Sequence, residues 1–571
     1  AQASPGSRAR TPPAAPPARR GYRFACEQPH SAGSGKARPR MILWCLAAAA
    51  APWAGLALPD GGQLPADPVD LLVDDACAGV ADGECSLSLR QLRGQLRSAR
   101  EQALDPQESE PDELQPAERP PAAGGSSNAS SASCFVLAAE GLEAPFSAEE
   151  EARVRGYFLK NLDVDGSGAV VAAPDHETPG GNYWYHWERD GALSMHALLA
   201  TSGLTEEVDR KFKDYVQWVK KAQEQPTAHR FTDIRVEPKY EIPSAKPFAG
   251  GWCRPQTDGP GLRAKALGEY ALAILDQADG KSFVLDNLWA VNSSVLDKRL
   301  ISWDLDWVVH NWKQEGCDLW EEVVSPDFFW GRYTMRAGLH VGAQLASALG
   351  DEKAHDLYVG TLKEIEKTLV KSHWTGAFLD QCWTQWCATR RRDSAVIEAI
   401  NVGHLSDGYL PLLSKYVLGT VITLNDLFCE EYDVNRADSE KGVPGVLYGR
   451  YSGDRYAGGN PWVLLSVSLA RLVYRQAAAA SAGEAISEEV EGLLQQAYGI
   501  APGLSGAALG AALVRAGDGV LLRVKSHLPP SLHMNEQLDR HTGAPIGAKD
   551  LTWNYANTLL ALQARSEAVG A

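Results

Sequence analysis

The 571-residue chain lacks the motifs on which several enzyme classes depend. Its ten cysteines (26, 45, 77, 85, 134, 253, 317, 382, 387 and 429) form no C-x-x-C pair and no zinc-type spacing. No H-E-x-x-H occurs either, so no protein-held metal is expected. None of the thirteen histidines has a convincing nucleophile beside it, and there is no G-x-S-x-G, which sets aside Ser–His hydrolysis. Gly35-Lys36 lacks the glycine that a phosphate-cradling loop needs five residues before the first of them, where His30 stands. Asp163-Val164-Asp165-Gly166-Ser167-Gly168 resembles half of a calcium loop, but its twelfth position is Pro174, not Glu, so a Gly-rich turn is expected. Strand-like alternation is scarce.

What is present is an acidic, apolar-rich chain: 44% hydrophobic and 22% charged, with a net charge of −17. That composition excludes global disorder. The first forty residues carry eight basic and one acidic side chain, so the remainder holds −24. So acidic a body repels phosphate backbones, and no nucleic-acid partner is expected. Length alone suggests about four domains, a prior that one large helical barrel overrides.

The N-terminal part does not read as a domain. Residues 1–40, with seven prolines and an initial Ala, are expected to be disordered or upstream of the natural start. Residues 41–58 (MILWCLAAAAAPWAGLAL), preceded by Lys36, Arg38 and Arg40, read as a signal peptide or a signal anchor. No other segment could span a bilayer. A cleaved signal implies a secreted or secretory-lumen protein without stable membrane insertion, and gives meaning to the sequons at Asn128 and Asn292. Residues 59–140 read as a low-complexity linker or pro-region. Cys382 and Cys387 lie close enough to form a disulfide or to remain two buried thiols, so cysteine usage leaves the compartment open.

From residue 141 to 571 the pattern is helical. In GLRAKALGEYALAILDQA, Leu262, Ala266, Leu267, Tyr270, Ala271, Ile274 and Leu275 recur at helix spacing. Similar runs follow Asp190, Ser325, Asn460 and Asp550, which predicts an all-α body of roughly a dozen helices. Five loops rich in Trp, Gly and Pro lead into helices: 183–191, 251–263, 317–329, 449–462 and 534–553. Ser325-Pro326 and Asn460-Pro461 read as N-cap and first-turn pairs. If alternate helices run parallel, these loops converge on one end, lined with rings, arginines and carboxylates that suit a sugar. Arg390-Arg391-Arg392-Asp393 reads as a solvated loop.

Glu321 and Glu322 follow Asp318-Leu319-Trp320 and precede an apolar helix. Two acids there often serve only to complement a helix dipole. An indole beside a carboxyl, however, raises its pKa and suits it to general-acid work. Glu536 supplies a second carboxyl from another of the loops, and two opposed carboxyls are what glycosidic hydrolysis needs.

The five loops together resemble the glucoamylase family of glycoside hydrolases, family 15, over about residues 145–565. YWYHWERDG, GGWCRPQTDGPGLR, CDLWEEV, GRYSGDRYAGGNPW and NEQLDRHTGAPIGAKDLTW stand in the family's order. The resemblance implies an (α/α)6 barrel, Glu321 as general acid and Glu536 as general base. It implies that Glu322 binds the leaving-side sugar and that Arg189, Asp190 and Arg450 hold hydroxyls of the terminal glucose. Trp187, Trp252 and Tyr456 would be aromatic walls, Tyr183 would help position the water, and Asp318 would support the site near the acid. The implied reaction is exo-acting, inverting release of β-glucose from non-reducing ends of α-1,4-glucans by a monomer, without cofactor. Its carboxyls would stand roughly 6.5–9.5 Å apart, and its pH profile would be bell-shaped around mildly acidic pH. Cys253, the segment 237–250 and the Ala/Gly-rich residues 500–520 depart from the family pattern. No starch-binding module is expected after the last motif, which favours soluble dextrins. The rival readings are a family member acting on another α-glucoside, such as trehalose or dextran, and a non-catalytic glucan-binding domain like that of phosphorylase kinase.

Overall fold

The computed structural model describes residues 134–178, 181–229, 232–291, 297–384, 387 and 390–570. The expectations for residues 1–40, 41–58 and 59–133 and for the sequons at Asn128 and Asn292 lie outside them. The described residues fall in one unit, Ser126–Ala571.

Fifteen α-helices occur among the described residues, and twelve of them pair as six hairpins. The outer members are α1 (Ala148–Lys160), α3 (Glu206–Gln223), α6 (Leu300–Asn311), α8 (Glu352–His373), α10 (Lys415–Glu431) and α14 (Gly506–His527). Their inner partners are α2 (Glu188–Ser202), α4 (Asp258–Ile274), α7 (Phe329–Leu349), α9 (Ala395–Gly403), α12 (Val463–Ser481) and α15 (Thr552–Gly570). The inner helices form a closed ring: each packs on the next, and α15 returns to α2. This is the expected (α/α)6 barrel. The short helices α5 (Gly280–Asn287), α11 (Asp433–Glu440) and α13 (Glu488–Tyr498) lie between hairpins in the chain.

Local sequence explains the two layers. Outer helix α1 starts at a capping box, with Glu150 N–H on the Ser147 hydroxyl and Ser147 N–H on the Glu150 carboxylate. Outer helix α3 buries Val208, Phe212, Tyr215, Val216 and Val219 along one stripe and leaves all of its charged residues but Lys211 outside. Inner helices have no such polar face, because neighbours cover them on three sides; all but three of the seventeen residues of α4 are buried. Close packing there needs glycine: a Cβ on Gly338 of α7 would lie 2.4 Å from the Gly261 carbonyl oxygen of α4.

Two expected helix starts are displaced. Ser325 lies in a two-residue strand, Val324–Ser325, and its hydroxyl donates to Asp327, while α7 begins at Phe329. The Asn460 amide is occupied by Ala457 and Gln537, and α12 begins at Val463. Asp163–Gly168 is a turn in which the Asp163 carboxylate takes Gly168 N–H and pairs with Arg210. Three disulfides occur among the described residues: Cys134–Cys429, Cys253–Cys317 and Cys382–Cys387. The second joins the loops that enter α4 and α7.

Candidate active site

All six inner helices present their N-termini to one end of the barrel, and the loops before them build a cavity of about 610 Å³. Strand β1 (Tyr185–Trp187) pairs antiparallel with β2 (Lys239–Glu241) and runs straight into α2, which places Arg189 and Asp190 in the first helical turn. Strands β3 (Gly316–Cys317) and β4 (Val324–Ser325) form a hairpin whose connection carries Asp318 to Val323. Strands β5 (Gln537–Leu538) and β6 (Pro545–Ile546) do the same beyond Glu536. Ten of the eleven expected site residues line the cavity: Tyr183, Trp187, Arg189, Asp190, Trp252, Glu321, Glu322, Arg450, Tyr456 and Glu536. Asp318, counted among the site residues as a support near the acid, does not. It is buried behind the hairpin, where its carboxylate accepts the backbone N–H of Glu322 (2.7 Å) and Val323 (3.0 Å).

The two candidate catalytic carboxyls have different surroundings. Glu321 accepts Arg189 Nη2 at 2.8 Å on one oxygen and the Trp252 indole N–H at 2.7 Å on the other. Its φ of +64° is unusual for a residue with a side chain and marks a turn held by its surroundings. Glu536 accepts the Tyr183 hydroxyl at 2.7 Å and Gln537 Nε2 at 2.8 Å. Burial pushes Glu536 up to about 7, against the pull of those two donors and of Arg450. Asp190 is also pushed up to about 7 by burial, with Arg189 opposing. Glu322 takes Arg450 Nη2 on one oxygen at 2.8 Å, while Arg390 Nη2 and the Tyr451 hydroxyl meet on the other. Arg450 is fixed in turn by both oxygens of Asp454.

Two expectations about the acid need correction. Glu321 and Glu322 do not stand at a helix start; they lie on the β3–β4 hairpin, seven or eight residues before α7 begins. Nor is Trp320 the indole that hydrogen-bonds Glu321. Its indole N–H donates to both oxygens of Asp393 at 3.0 Å, and the indole that meets Glu321 is Trp252, as a hydrogen-bond donor.

Comparison with known proteins agrees with this architecture. The family described as Glycosyl hydrolases family 15 matches residues 159–563. The chain belongs to glycosyl hydrolase family 15. It is 31% identical to a glucoamylase of Blastobotrys adeninivorans over 72% of this chain and 70% of that one. It is 29% identical to glucoamylase 1 of Rhizopus oryzae, over 74% and 71%. The solved glucoamylase of Hormoconis resinae superposes with a TM-score of 0.65 at 26% identity, covering 73% of each chain. The chain is therefore a glycoside hydrolase, and the non-catalytic reading is not favoured.

The hydrolase has site residues that sequence reasoning missed. The segment 390–393, read as solvated, is buried at Arg390 and Asp393. It is the entry loop of α9, the fourth inner helix; five other entry loops were recognised, and six-fold closure demanded this one. Lys239 lines the cavity as well. Its ammonium lies 3.9–4.5 Å from the ring centres of Tyr185, Trp187, Phe248 and Trp252, and it makes no hydrogen bond or ion pair among the described residues. Burial pushes it down to about 8. The β1–β2 pairing that brings it there was not visible in two three-residue segments. The grouping of Asp327 with Cys382 and Cys387 has metal-ligand residue types, but its sulfurs are joined in a disulfide.

Proposed function

We propose that this starch-degrading family-15 hydrolase is an exo-acting, inverting glucan 1,4-α-glucosidase, with Glu321 as its general acid and Glu536 as its general base. The observation that carries the reading is the difference in depth of the two carboxyls within one cavity. Glu536 is 2% exposed, whereas Glu321 sits beside Trp252, which is 36% exposed at the rim. A glucan entering by its non-reducing end puts the terminal ring at the bottom and the leaving chain toward the rim. The shallower carboxyl then meets the glycosidic oxygen, and the deeper one serves the water on the opposite face of the ring. Each Glu321 oxygen accepts one donor and keeps a lone pair for the proton it must deliver. Attack from the opposite face leaves β-glucose, and both steps are proton transfers that need no cofactor.

Arg189, Asp190 and Arg450 would hold hydroxyls of the terminal glucose, Glu322 the leaving-side sugar, and Trp187, Trp252 and Tyr456 the ring faces. Asp318 supports the acid-bearing turn from behind. One chain supplies every one of these groups, in keeping with a monomer. No helix among the described residues is long and apolar enough to cross a membrane. The segment at 36–58 and the three disulfides support action in the secretory pathway or outside the cell.

Glu321→Gln and Glu536→Gln test the assignment on maltose and on α-glucosyl fluoride, whose leaving group departs without protonation. Glu321→Gln should abolish maltose turnover and largely spare the fluoride; Glu536→Gln should impair both, with partial rescue by azide. Equal fluoride-to-maltose ratios in the two variants would show that acid and base are misassigned. Polarimetry showing α-glucose as first product would remove the inverting mechanism.

A further inference from the structure

The residues behind the leaving side form a clamp that the cavity lining alone does not reveal. Arg390, 7% exposed, reaches two carboxylates of the β3–β4 connection at once. Its Nε donates to Asp318 Oδ2 at 3.2 Å and its Nη2 to Glu322 Oε2 at 2.5 Å. Asp318 is the residue whose other oxygen holds the backbone N–H groups of Glu322 and Val323. One guanidinium therefore ties the carboxylate that shapes the turn to the carboxylate that the turn presents. The fork is seated on a ring, with its centre 3.7 Å from the Tyr451 centroid. Three residues further on, Asp393 takes the Trp320 indole N–H, so the same loop grips the turn on both sides of Glu321. Such a grip suits a connection whose Glu321 has a left-handed backbone that its neighbours must hold.

We propose that Arg390 is a positioning residue that sets the specificity of the leaving-side sugar site by fixing Glu322. This rests on the proposed reading of Glu322 as the ligand of that sugar. Arg450 cannot replace it, because Arg450 holds the other Glu322 oxygen and is itself tied to Asp454. With Arg390 removed, Glu322 keeps Arg450, Tyr451 and its backbone N–H on Asp318, but its carboxylate loses the tie to the Asp318 carboxylate and is less firmly fixed relative to the acid. The consequence falls on substrates with a sugar on the leaving side. α-Glucosyl fluoride has none, so it reports the rest of the machinery.

The experiment measures kcat/KM for maltose and for α-glucosyl fluoride in the wild-type chain, Arg390→Gln, Arg390→Lys, Glu322→Gln and Arg390→Gln/Glu322→Gln. Arg390→Gln should lower the maltose-to-fluoride ratio by about tenfold or more, the scale of a charge-assisted bond. Arg390→Lys should recover only part of it, since an ammonium lacks the two-pronged geometry. The double variant should show the ratio of Glu322→Gln alone, because Arg390 acts through that carboxylate. Equal losses on both substrates, or full additivity in the double variant, would overturn the proposal. If Arg390→Gln does not fold, the lysine variant carries the same test, and a wild-type ratio there also overturns it. A wild-type chain that releases glucose from neither substrate would instead defeat the reading of the site on which the proposal rests.

Discussion

The two halves of the barrel interior carry charge of opposite character. At the N-terminal end of the inner helices, acids dominate: Asp190, Glu321, Glu322, Asp393 and Glu536 surround or support the cavity. About 12 Å further along, eight residues at 1.5 Å each, lie His196, Lys265 and Arg471, with Arg475 and His404 beyond them. There the groups are paired for structure. Glu269 receives Lys265 Nζ at 2.6 Å and lies 2.7 Å from His196 Nδ1. Burial alone would raise Glu269, yet His196 and Lys265 draw it down to about 2. At the other end, burial wins: Asp190 and Glu536 rise to about 7 and Asp393 to about 8. Acids held near neutrality can exchange protons with a substrate; acids held at about 2 cannot. The difference separates the half proposed to do chemistry from the half that holds the ring together.

The comparison breaks most sharply at Arg189. It donates to Glu321, to Asp258 at 3.0 Å and to Gln256 at 3.1 Å. Arg189→Lys should lower kcat/KM for maltose by on the order of 10²-fold, because an ammonium cannot serve those partners and a sugar together. Melting temperature should move little. Glu269→Ala should do the reverse. It leaves Lys265 and His196 without their counter-charge and should cost about 2–3 kcal/mol, read by denaturant titration, with kcat within a few-fold of wild type. A Glu269→Ala chain that keeps its stability but loses turnover would erase the division between the halves.

The halves should also respond oppositely to pH. Asp190, Glu536 and Asp393 have folded pKa values above their unfolded ones, so the folded state holds protons that the unfolded chain has released. Their contribution is fully present below about pH 4, the unfolded range, and is lost as pH rises through 7 to 8. In the other half, burial and Arg475 push His404 down to about 4, and burial lowers His196. That contribution is present above about 6.5, the unfolded value, and is lost as pH falls toward 4. Melting temperature should therefore peak at mildly acidic pH. Asp393→Asn, which keeps an acceptor for the Trp320 indole, should flatten the decline on the alkaline side. A melting temperature that climbs steadily from pH 5 to 8 would contradict the balance.

Much of this was legible in the sequence, and the parts that were not share a cause. Helix periodicity marked α4 and α15, and the five loops brought ten residues to one cavity. What failed were inferences from nearest neighbours along the chain. Trp320 is adjacent to Glu321 but bonds Asp393, seventy-three residues away, while Trp252 supplies the indole contact from another loop. Ser325 and Asn460 have N-cap chemistry, yet Asp327 takes the Ser325 hydroxyl and the distant Gln537 takes the Asn460 amide before a helix begins. Arg390 to Asp393 has the composition of a solvated run, and only the closure of the ring buries it. Local charge says which groups are available; the ring decides which of them meet.

The smallest expected effect concerns Tyr183, which touches the base without reaching the acid. Its hydroxyl donates to Glu536 at 2.7 Å and shares a 2.8 Å hydrogen bond with Tyr456. A base works only when ionised, so kcat/KM falls as pH drops through the Glu536 pKa of the free enzyme. Burial places that pKa at about 7. The Tyr183 and Gln537 donors and the Arg450 charge already oppose that rise. Tyr183→Phe removes one donor to the ionised form, so the Glu536 pKa must rise and the acidic limb of kcat/KM must move to higher pH. One hydrogen bond of about 1 kcal/mol corresponds to roughly 0.5–1 pH unit. The basic limb, which reports Glu321, should stay in place because Tyr183 makes no contact with it. Measured across pH 3–9 on α-glucosyl fluoride, an upward shift of the acidic limb alone supports the deep carboxyl as base. A shift of the basic limb would place Tyr183 beside the acid and reverse the depth argument.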